Sequence, residues 1–164
     1  MKIKSELEGD LLNNCYKAIG LIKHTVSSLR ELELSFHING IEPDIVGKQC
    51  QGFYLIQQQE GEDISDPANV AYFKFEDSWL KLHFDGETIF WRTGEVPSEP
   101  VNSCLSTCLV LLNLNELDGV VGRTLKKITY DSTNEAVFAN FEFSGGKVLK
   151  FQHNGYDDYT SINC

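Results

Sequence analysis

The sequence predicts an α+β chain that is predominantly antiparallel β, built from two similar β-meander halves with one N-terminal helix. Three observations carry this expectation. Apolar and polar residues alternate with period two through most of the chain after residue 30, a set of short motifs occurs twice in the same order, and apolar residues at three-and-four spacing are confined to the N-terminus. At 164 residues, with 41% hydrophobic and 23% charged, the chain can bury roughly two thirds of its unfolded surface and is too apolar for a disordered one. A single domain over 1–164 is expected, with pseudo-repeats at about 30–95 and 104–164.

The helix is expected at about 10–28. Leu11, Leu12, Cys15, Tyr16, Ile19, Ile22, Val26 and Leu29 form one apolar stripe, and the Asp10 carboxylate can accept from the unpaired amides of the first turn. Gly20 weakens this helix by ~1 kcal/mol relative to Ala. Arg30 to Ile38 alternates with Leu32, Leu34, Phe36 and Ile38 on one face and reads as a half-buried strand, with Cys108 to Leu114 as its counterpart in the second half.

The repeat begins at DIVGKQCQGFY (44–54) and DGVVGRTLKKITY (118–130), which share an Asp, a Val-Gly pair, a basic residue and then an apolar strand. AYFKFEDSWLKLHFDGETIFW (71–91) then stands beside ANFEFSGGKVLKFQHNGYDDYT (139–160), with Asp85-Gly86 matching Asn154-Gly155. The separation is 75 residues at the glycines 47 and 122 and 69 at 86 and 155, and most of the difference falls in a longer first-half loop at 57–69. Strands are expected at 53–57, 72–76, 79–84 and 88–92, and again at 124–130, 137–143, 147–153 and 159–162. Asp85-Gly86, Gly145-Gly146 and Asn154-Gly155 supply tight turns. Val96 to Pro100, with two of the four prolines, connects the halves. Trp79, Phe75, Phe141, Phe143 and Phe151 are the expected core.

The opening MKIKSELEGD places charges where an export signal needs an apolar run, and the longest strongly apolar stretch, Cys108 to Leu112, is too short to span a bilayer. Five scattered cysteines do not make a disulfide framework. A cytoplasmic location follows as the expectation. Cys104 and Cys108 are expected as core thiols. The four histidines lack metal-ligand spacing, and no cofactor is indicated. Asp118, Gly119 and Gly122 lack the Gly-Lys-Ser/Thr of a phosphate loop, so turn geometry is expected to explain them. No Ser or Cys stands in a nucleophile-elbow context, so the chain is not expected to be an enzyme.

Against 24 Asp plus Glu stand 14 Lys plus Arg, a formal net charge of −10. This excess repels phosphate backbones and anionic lipids, which excludes direct nucleic-acid and membrane binding from the expectation and favours a basic protein partner. Glu60, Glu62, Asp63 and Asp66 crowd the loop where the first half exceeds the second, and are the first candidates for partner binding. Asp157 and Asp158, flanked by Tyr156 and Tyr159, are the second.

A small, acidic, β-rich chain with a tandem repeat and no catalytic motif resembles the immunity proteins of bacterial toxin systems, including those of contact-dependent growth inhibition. The resemblance is one of general character over the whole chain, with no signature motif. It implies a cytoplasmic inhibitor that binds one cognate toxin domain, often a basic nuclease, and blocks its active site. The alternatives are a small-ligand module, which implies an apolar pocket enclosed by the two halves, and a structural or oligomerisation domain, which implies an open sheet edge or a large exposed apolar patch.

Overall fold

The computed structural model describes residues 35–164, which lie within one compact unit. The expected helix at 10–28 and the start of the strand expected at 30–38 lie outside the described residues. Ten strands follow: β1 (His37–Asn39), β2 (Cys50–Glu60), β3 (Asp63–Phe75), β4 (Ser78–Asp85), β5 (Thr88–Thr93), β6 (Thr107–Asn113), β7 (Leu125–Ser132), β8 (Ala136–Phe143), β9 (Val148–Asn154) and β10 (Tyr159–Asn163). They form a six-stranded sheet, β1-β5-β4-β3-β2-β6, and a four-stranded sheet, β10-β9-β8-β7. All pairings are antiparallel except β1 with β5.

The period-two pattern has a direct packing consequence, because alternate side chains of each strand share a face. Phe53, Phe73, Phe75, Leu82, Ile89 and Trp91 from the larger sheet, and Leu125, Phe141, Phe143, Leu149 and Phe151 from the smaller, are all fully buried in one cluster. Phe73 is the meeting point. Its ring stacks on Phe53 at 4.8 Å and on Phe141 of the other sheet at 5.0 Å, and meets Phe151 edge-on at 6.2 Å.

The four strands β2 to β5 and the four strands β7 to β10 run in the same order with the same directions. The same irregularity recurs as well: register slips between Cys50 and Gly52 in β2 and between Leu125 and Lys127 in β7. At the Val-Gly motifs the halves exchange reciprocal bonds. The Gly47 N–H donates to the Leu125 carbonyl and the Gly122 N–H to the Cys50 carbonyl, both at 2.8 Å. Likewise the Leu125 N–H donates to Lys48 and the Cys50 N–H to Arg123, both at 2.9 Å. Each pair interconverts under a shift of 75 residues, as an approximate two-fold axis at the Gln49–Thr124 bridge requires. Gly47 and Gly122 share φ values of 87° and 82°, which side chains rarely adopt.

Several expectations are corrected. β1 and the strand after residue 106 are not counterparts: β1 pairs in parallel with β5, whereas β6 pairs antiparallel with β2 at the opposite edge. Trp79 is only half-buried, on the outer face, where it meets Tyr54 edge-on at 5.6 Å. Leu80, Leu82 and Phe84 take the inward positions of β4, so Trp79 must point outward. Trp91, not Trp79, is the core tryptophan, and its indole N–H donates to the Tyr130 hydroxyl at 2.9 Å. Cys104 is exposed and Cys108 half-buried, because β6 lies at a sheet edge; the core thiol is Cys50, whose pKa burial pushes up to about 11.

The stacked centre is where side-chain truncation is expected to cost most. Phe141→Ala and Phe143→Ala should each lose about 3–5 kcal/mol of stability in a denaturant melt, from lost burial and the cavity left behind. Trp79→Ala on the outer face should lose less than half of that. Equal losses at 79 and 141 would show that the two faces have been exchanged.

Candidate functional site

In an antiparallel meander, every second turn lies at the same end of the sheet. The β2–β3 and β4–β5 turns therefore share one end of the larger sheet, and the β7–β8 and β9–β10 turns share one end of the smaller. The two ends coincide. A Cβ placed on Gly155 would sit 3.0 Å from the Gly86 Cα, so the β4–β5 and β9–β10 turns touch backbone to backbone. A cleft of about 490 Å³ opens beside this contact, lined by residues of the β4–β5, β7–β8 and β9–β10 turns, among them Glu87, Glu135 and Tyr156.

This end gathers negative charge. Glu60, Glu62 and Asp63 stand at the first turn, Asp85 and Glu87 at the second, Asp131 and Glu135 at the third, Asp157 and Asp158 at the fourth, and all nine are exposed. No Lys or Arg occurs in 57–69, 83–90, 131–137 or 152–163. The described residues carry nine Lys plus Arg against nineteen Asp plus Glu, so the whole formal charge of −10 resides in them. Among the described residues the ion pairs are Lys48–Glu76 and Lys81–Glu95, and neither involves the nine carboxylates.

The first candidate segment is not a loop. Glu60 ends β2, Gly61 and Glu62 form the turn, and Asp63 begins β3, so the segment is the tip of a projecting hairpin. Gly61 holds a φ of 61° there. Asp66 is a correction of a different kind. It is 4% exposed and its carboxylate is occupied within the fold: Oδ1 accepts from the Thr160 N–H at 3.0 Å and the Ala68 N–H at 3.4 Å, and Oδ2 from the Asn69 amide at 3.0 Å. Pro67 follows at an irregular stretch of the β2–β3 ladder, a place where a missing N–H is tolerated. Asp66 ties the projecting hairpin to β10 and faces no solvent.

The second segment is a four-residue turn between Asn154 and Tyr159. Asn154 Oδ1 accepts from the Tyr156 N–H at 3.0 Å and its amide donates to Asp157 Oδ2 at 2.9 Å. The left-handed residue is Asp158, with φ 48°, where the Asn154-Gly155 motif predicted a tight turn on its own glycine. Gly155 is needed for the close approach to Gly86. The turn leaves Tyr156 96% exposed, with Tyr159 partly covered.

Beneath this end lies His153, fully buried, its ring stacked on Phe84 at 5.6 Å and its Nδ1 3.0 Å from the Thr160 hydroxyl. Asp66, Thr160 and His153 thus form one connected polar group joining the two sheets. Burial pushes the His153 pKa down, against the opposing pull of Asp158, Asp66 and Asp85.

The structure brings Glu60, Glu62, Asp63, Asp157, Asp158, Tyr156 and Tyr159 to one end and withdraws Asp66 from it. Sequence reasoning missed Asp85, Glu87, Asp131 and Glu135. Their signal was present in the parity of the turns, since the turns of one parity carry acids in segments free of Lys and Arg, whereas the opposite end holds Glu76 and Asp77 together with Lys48 and Lys147. No family model matches the chain, and no curated protein or solved structure is significantly similar to it.

Two measurements follow. Asp66→Ala should destabilise the fold by about 2–3 kcal/mol, because the Thr160 N–H and the Asn69 amide lose their acceptor inside the protein, whereas Glu62→Lys at the tip should leave the melt almost unchanged. His153 is held neutral in the folded state, so its contribution to stability is complete above the ordinary value of 6.5 and is lost as pH falls from there toward its lower folded value. NMR titration of the ring should place its midpoint below 6.5, and a midpoint above 6.5 would show that the neighbouring carboxylates outweigh burial.

Proposed function

We propose that the protein binds and neutralises a basic protein partner, in the manner of a bacterial toxin immunity protein, and that the acidic end of the sandwich is the face it uses. The supporting observation is the gathering of nine exposed carboxylates in the turns of this end, in segments without Lys or Arg, with a cleft there lined by Glu87, Glu135 and Tyr156. Lysines and arginines of a basic nuclease domain would replace the missing counter-charges. The carboxylates would then stand where substrate phosphates otherwise lie, so binding and inhibition would be one event.

Charge and anchoring divide the work. Like-signed exposed groups raise the association rate of an oppositely charged partner, while a few buried aromatics set the lifetime of the complex. Tyr156 suits the second task, since it projects from a turn already fixed by the Asn154 bonds and loses little freedom on binding. Asp157 has one carboxylate oxygen engaged by Asn154 and the other available. The contact set becomes Glu60, Glu62, Asp63, Glu87, Glu135, Asp157 and Asp158 with Tyr156 and Tyr159.

A cytoplasmic inhibitor is compatible with the fold, in which no described helix is long and apolar enough to cross a membrane. The scaffold reads as an internal duplication, on the strength of the matched strand order and the reciprocal bonds at the Val-Gly motifs. A small ligand held between the halves is less favoured, because Phe53, Phe73, Trp91, Phe141 and Phe151 occupy that space.

The experiment is co-expression with the product of the adjoining upstream gene, followed by stopped-flow association of the purified pair. The double reversal Glu62→Lys/Asp63→Lys should slow association about tenfold at low salt and much less at high salt, where charges beyond roughly 8 Å are screened. Its thermal melt should match the parent. An unchanged rate with an unchanged salt dependence would remove the acidic end from the interface.

A further inference from the structure

At the end opposite the nine carboxylates, each meander has a small cleft beside its Val-Gly motif. The cleft of the first, about 210 Å³, is lined by Asp44, Ile45, Lys48, Glu76 and Ser78 among others. The cleft of the second, about 350 Å³, is lined by Asp118, Gly119 and Arg123 and by the turn from Ser144 to Lys147. The two occupy equivalent places. The shift of 75 residues that relates the Val-Gly motifs carries Lys48 onto Arg123. The facing turns correspond as well, because Phe75 pairs with Ser78 across the first and the Phe143 N–H donates to the Lys147 carbonyl across the second.

Charge is where the two clefts part. In the first, Lys48 is neutralised by Glu76 at 3.1 Å. In the second, the acidic turn Glu76-Asp77 is replaced by Ser144-Gly145-Gly146, and Ser78 by Lys147. Arg123 keeps the place of the cation while its counter-ion is gone and a second cation has arrived. Neither Arg123 nor Lys147 forms an ion pair among the described residues, and Asp118, the carboxylate of this lining, pairs with neither. The second cleft is also shaped. A Cβ on Gly119 would stand 2.9 Å from the Lys147 Cβ and 3.0 Å from its Cγ, so the bare backbone there lets the stem of the half-buried lysine lie against it. The Ser144 hydroxyl oxygen accepts from the Thr124 N–H at 3.1 Å, which fixes this side chain and leaves its O–H as a donor.

We propose that the cleft of the second meander binds a small molecule through its phosphate group, with the Arg123 guanidinium, the Lys147 ammonium and the Ser144 hydroxyl as donors. An arginine fork and a lysine point charge are the two usual side-chain partners of phosphate. Two cations also match the near-double charge of a phosphate monoester better than the single charge of a carboxylate. A cleft of this volume lies within the range of small-ligand sites. It leaves room beyond the phosphate for a hydroxylated body, from which Asp118 can accept. The net charge of −10 does not close the site, because the nine carboxylates stand at the other end. The seven residues of β9 span roughly 20 Å between the two, more than twice the ~8 Å screening length at physiological ionic strength. A polynucleotide would reach those carboxylates and be repelled, whereas a single phosphate does not. The site is separate from the acidic end and does not rest on the partner proposed for it.

The test is an NMR titration of the full chain with ribose 5-phosphate, beside ribose and acetate as controls. Ribose 5-phosphate should give saturable shifts of the Gly119, Gly145 and Gly146 amides, weakened by added salt, and neither control should saturate them. Arg123→Gln and Lys147→Gln should each weaken binding at least about tenfold, the worth of one charged hydrogen bond, with an unchanged melt. Lys48→Gln, in the first cleft, should bind as the parent does. Shifts that never saturate or that arise equally at all surface cations overturn the proposal, as does affinity kept in both cleft variants. Equal binding of ribose or of acetate overturns it too, since phosphate would then not be the group recognised.

Discussion

The stack of Phe73 on Phe141 is the contact on which the rest of the structure depends. These rings occupy matching places in the two meanders, paired with Phe53 and Ile128 in their own sheets, and they meet at 5.0 Å between the sheets. A four-stranded meander with one apolar face is unstable alone in water, and the identical problem of the second meander is its solution. Once the two inner faces are set against each other, the relative position of every turn follows. The backbone contact of Gly155 with Gly86 and the reciprocal bonds around Gln49 and Thr124 are consequences at the two ends of one packing arrangement.

That arrangement sorts charge. Alternate turns of a meander share an end, so a sequence that keeps Lys and Arg out of the turns of one parity leaves the acids of that end without counter-charges. The opposite end carries acids as well, Glu76 and Asp77 in the β3–β4 turn, but with Lys48, Arg123 and Lys147 in the segments at that end, and there Lys48 meets Glu76 at 3.1 Å. Beneath the negative end the fold has to hold its two sheets together against the repulsion of the nine carboxylates. Asp66 links the larger sheet to the smaller by accepting from the Thr160 N–H, and within the smaller sheet the Thr160 hydroxyl lies 3.0 Å from His153 Nδ1, so the link uses a backbone amide in place of further charge. The same group shows why Asp66 stands in an acidic run and yet faces inward: its side chain accepts from three donors within the fold, and a buried polar group is accommodated when it is hydrogen-bonded.

Much of the strand pattern was legible, because inward residues at period two are visible along the chain: β4, β5, β6, β8 and β9 begin and end within a residue or two of the apolar alternation. The burial of individual residues required parity to be carried across each turn. Trp79 and Trp91 look alike in composition, but Leu80, Leu82 and Phe84 commit Trp79 to the outer face, and Ile89 commits Trp91 to the inner one. What sequence could not supply was contact between segments far apart. Asp66 is buried because β10 arrives 94 residues later to donate to it. Gly155 is required by Gly86 on another hairpin, and its local motif concealed this by resembling an ordinary turn. The extension of β2 and β3 beyond their expected ends to Glu60 and Asp63 escaped notice because three consecutive glutamines and Pro67 interrupt the alternation.

The overhang of β6 follows from connectivity rather than from accident. β5 ends at the opposite pole from the acidic turns, at an inner position of the sheet beside β1, while β7 must begin near Thr124, against Gln49 at the start of β2. The chain therefore has to cross from one side of the larger sheet to the other and return along β2. Residues 94–106 make the crossing and β6 is the return leg, fastened at its end by Asn115, whose side chain accepts from the Phe53 N–H at 2.9 Å and donates to the Tyr54 hydroxyl at 2.9 Å. Two fused meanders need such a leg once, between the first and the second, so only the larger sheet gains a strand here. The second sheet is too narrow to cover it. Joining the repeats thus leaves an uncharged edge strand on a negatively charged protein, and among the described residues it is the Asn102 side chain that bonds this edge, at both backbone groups of Leu109.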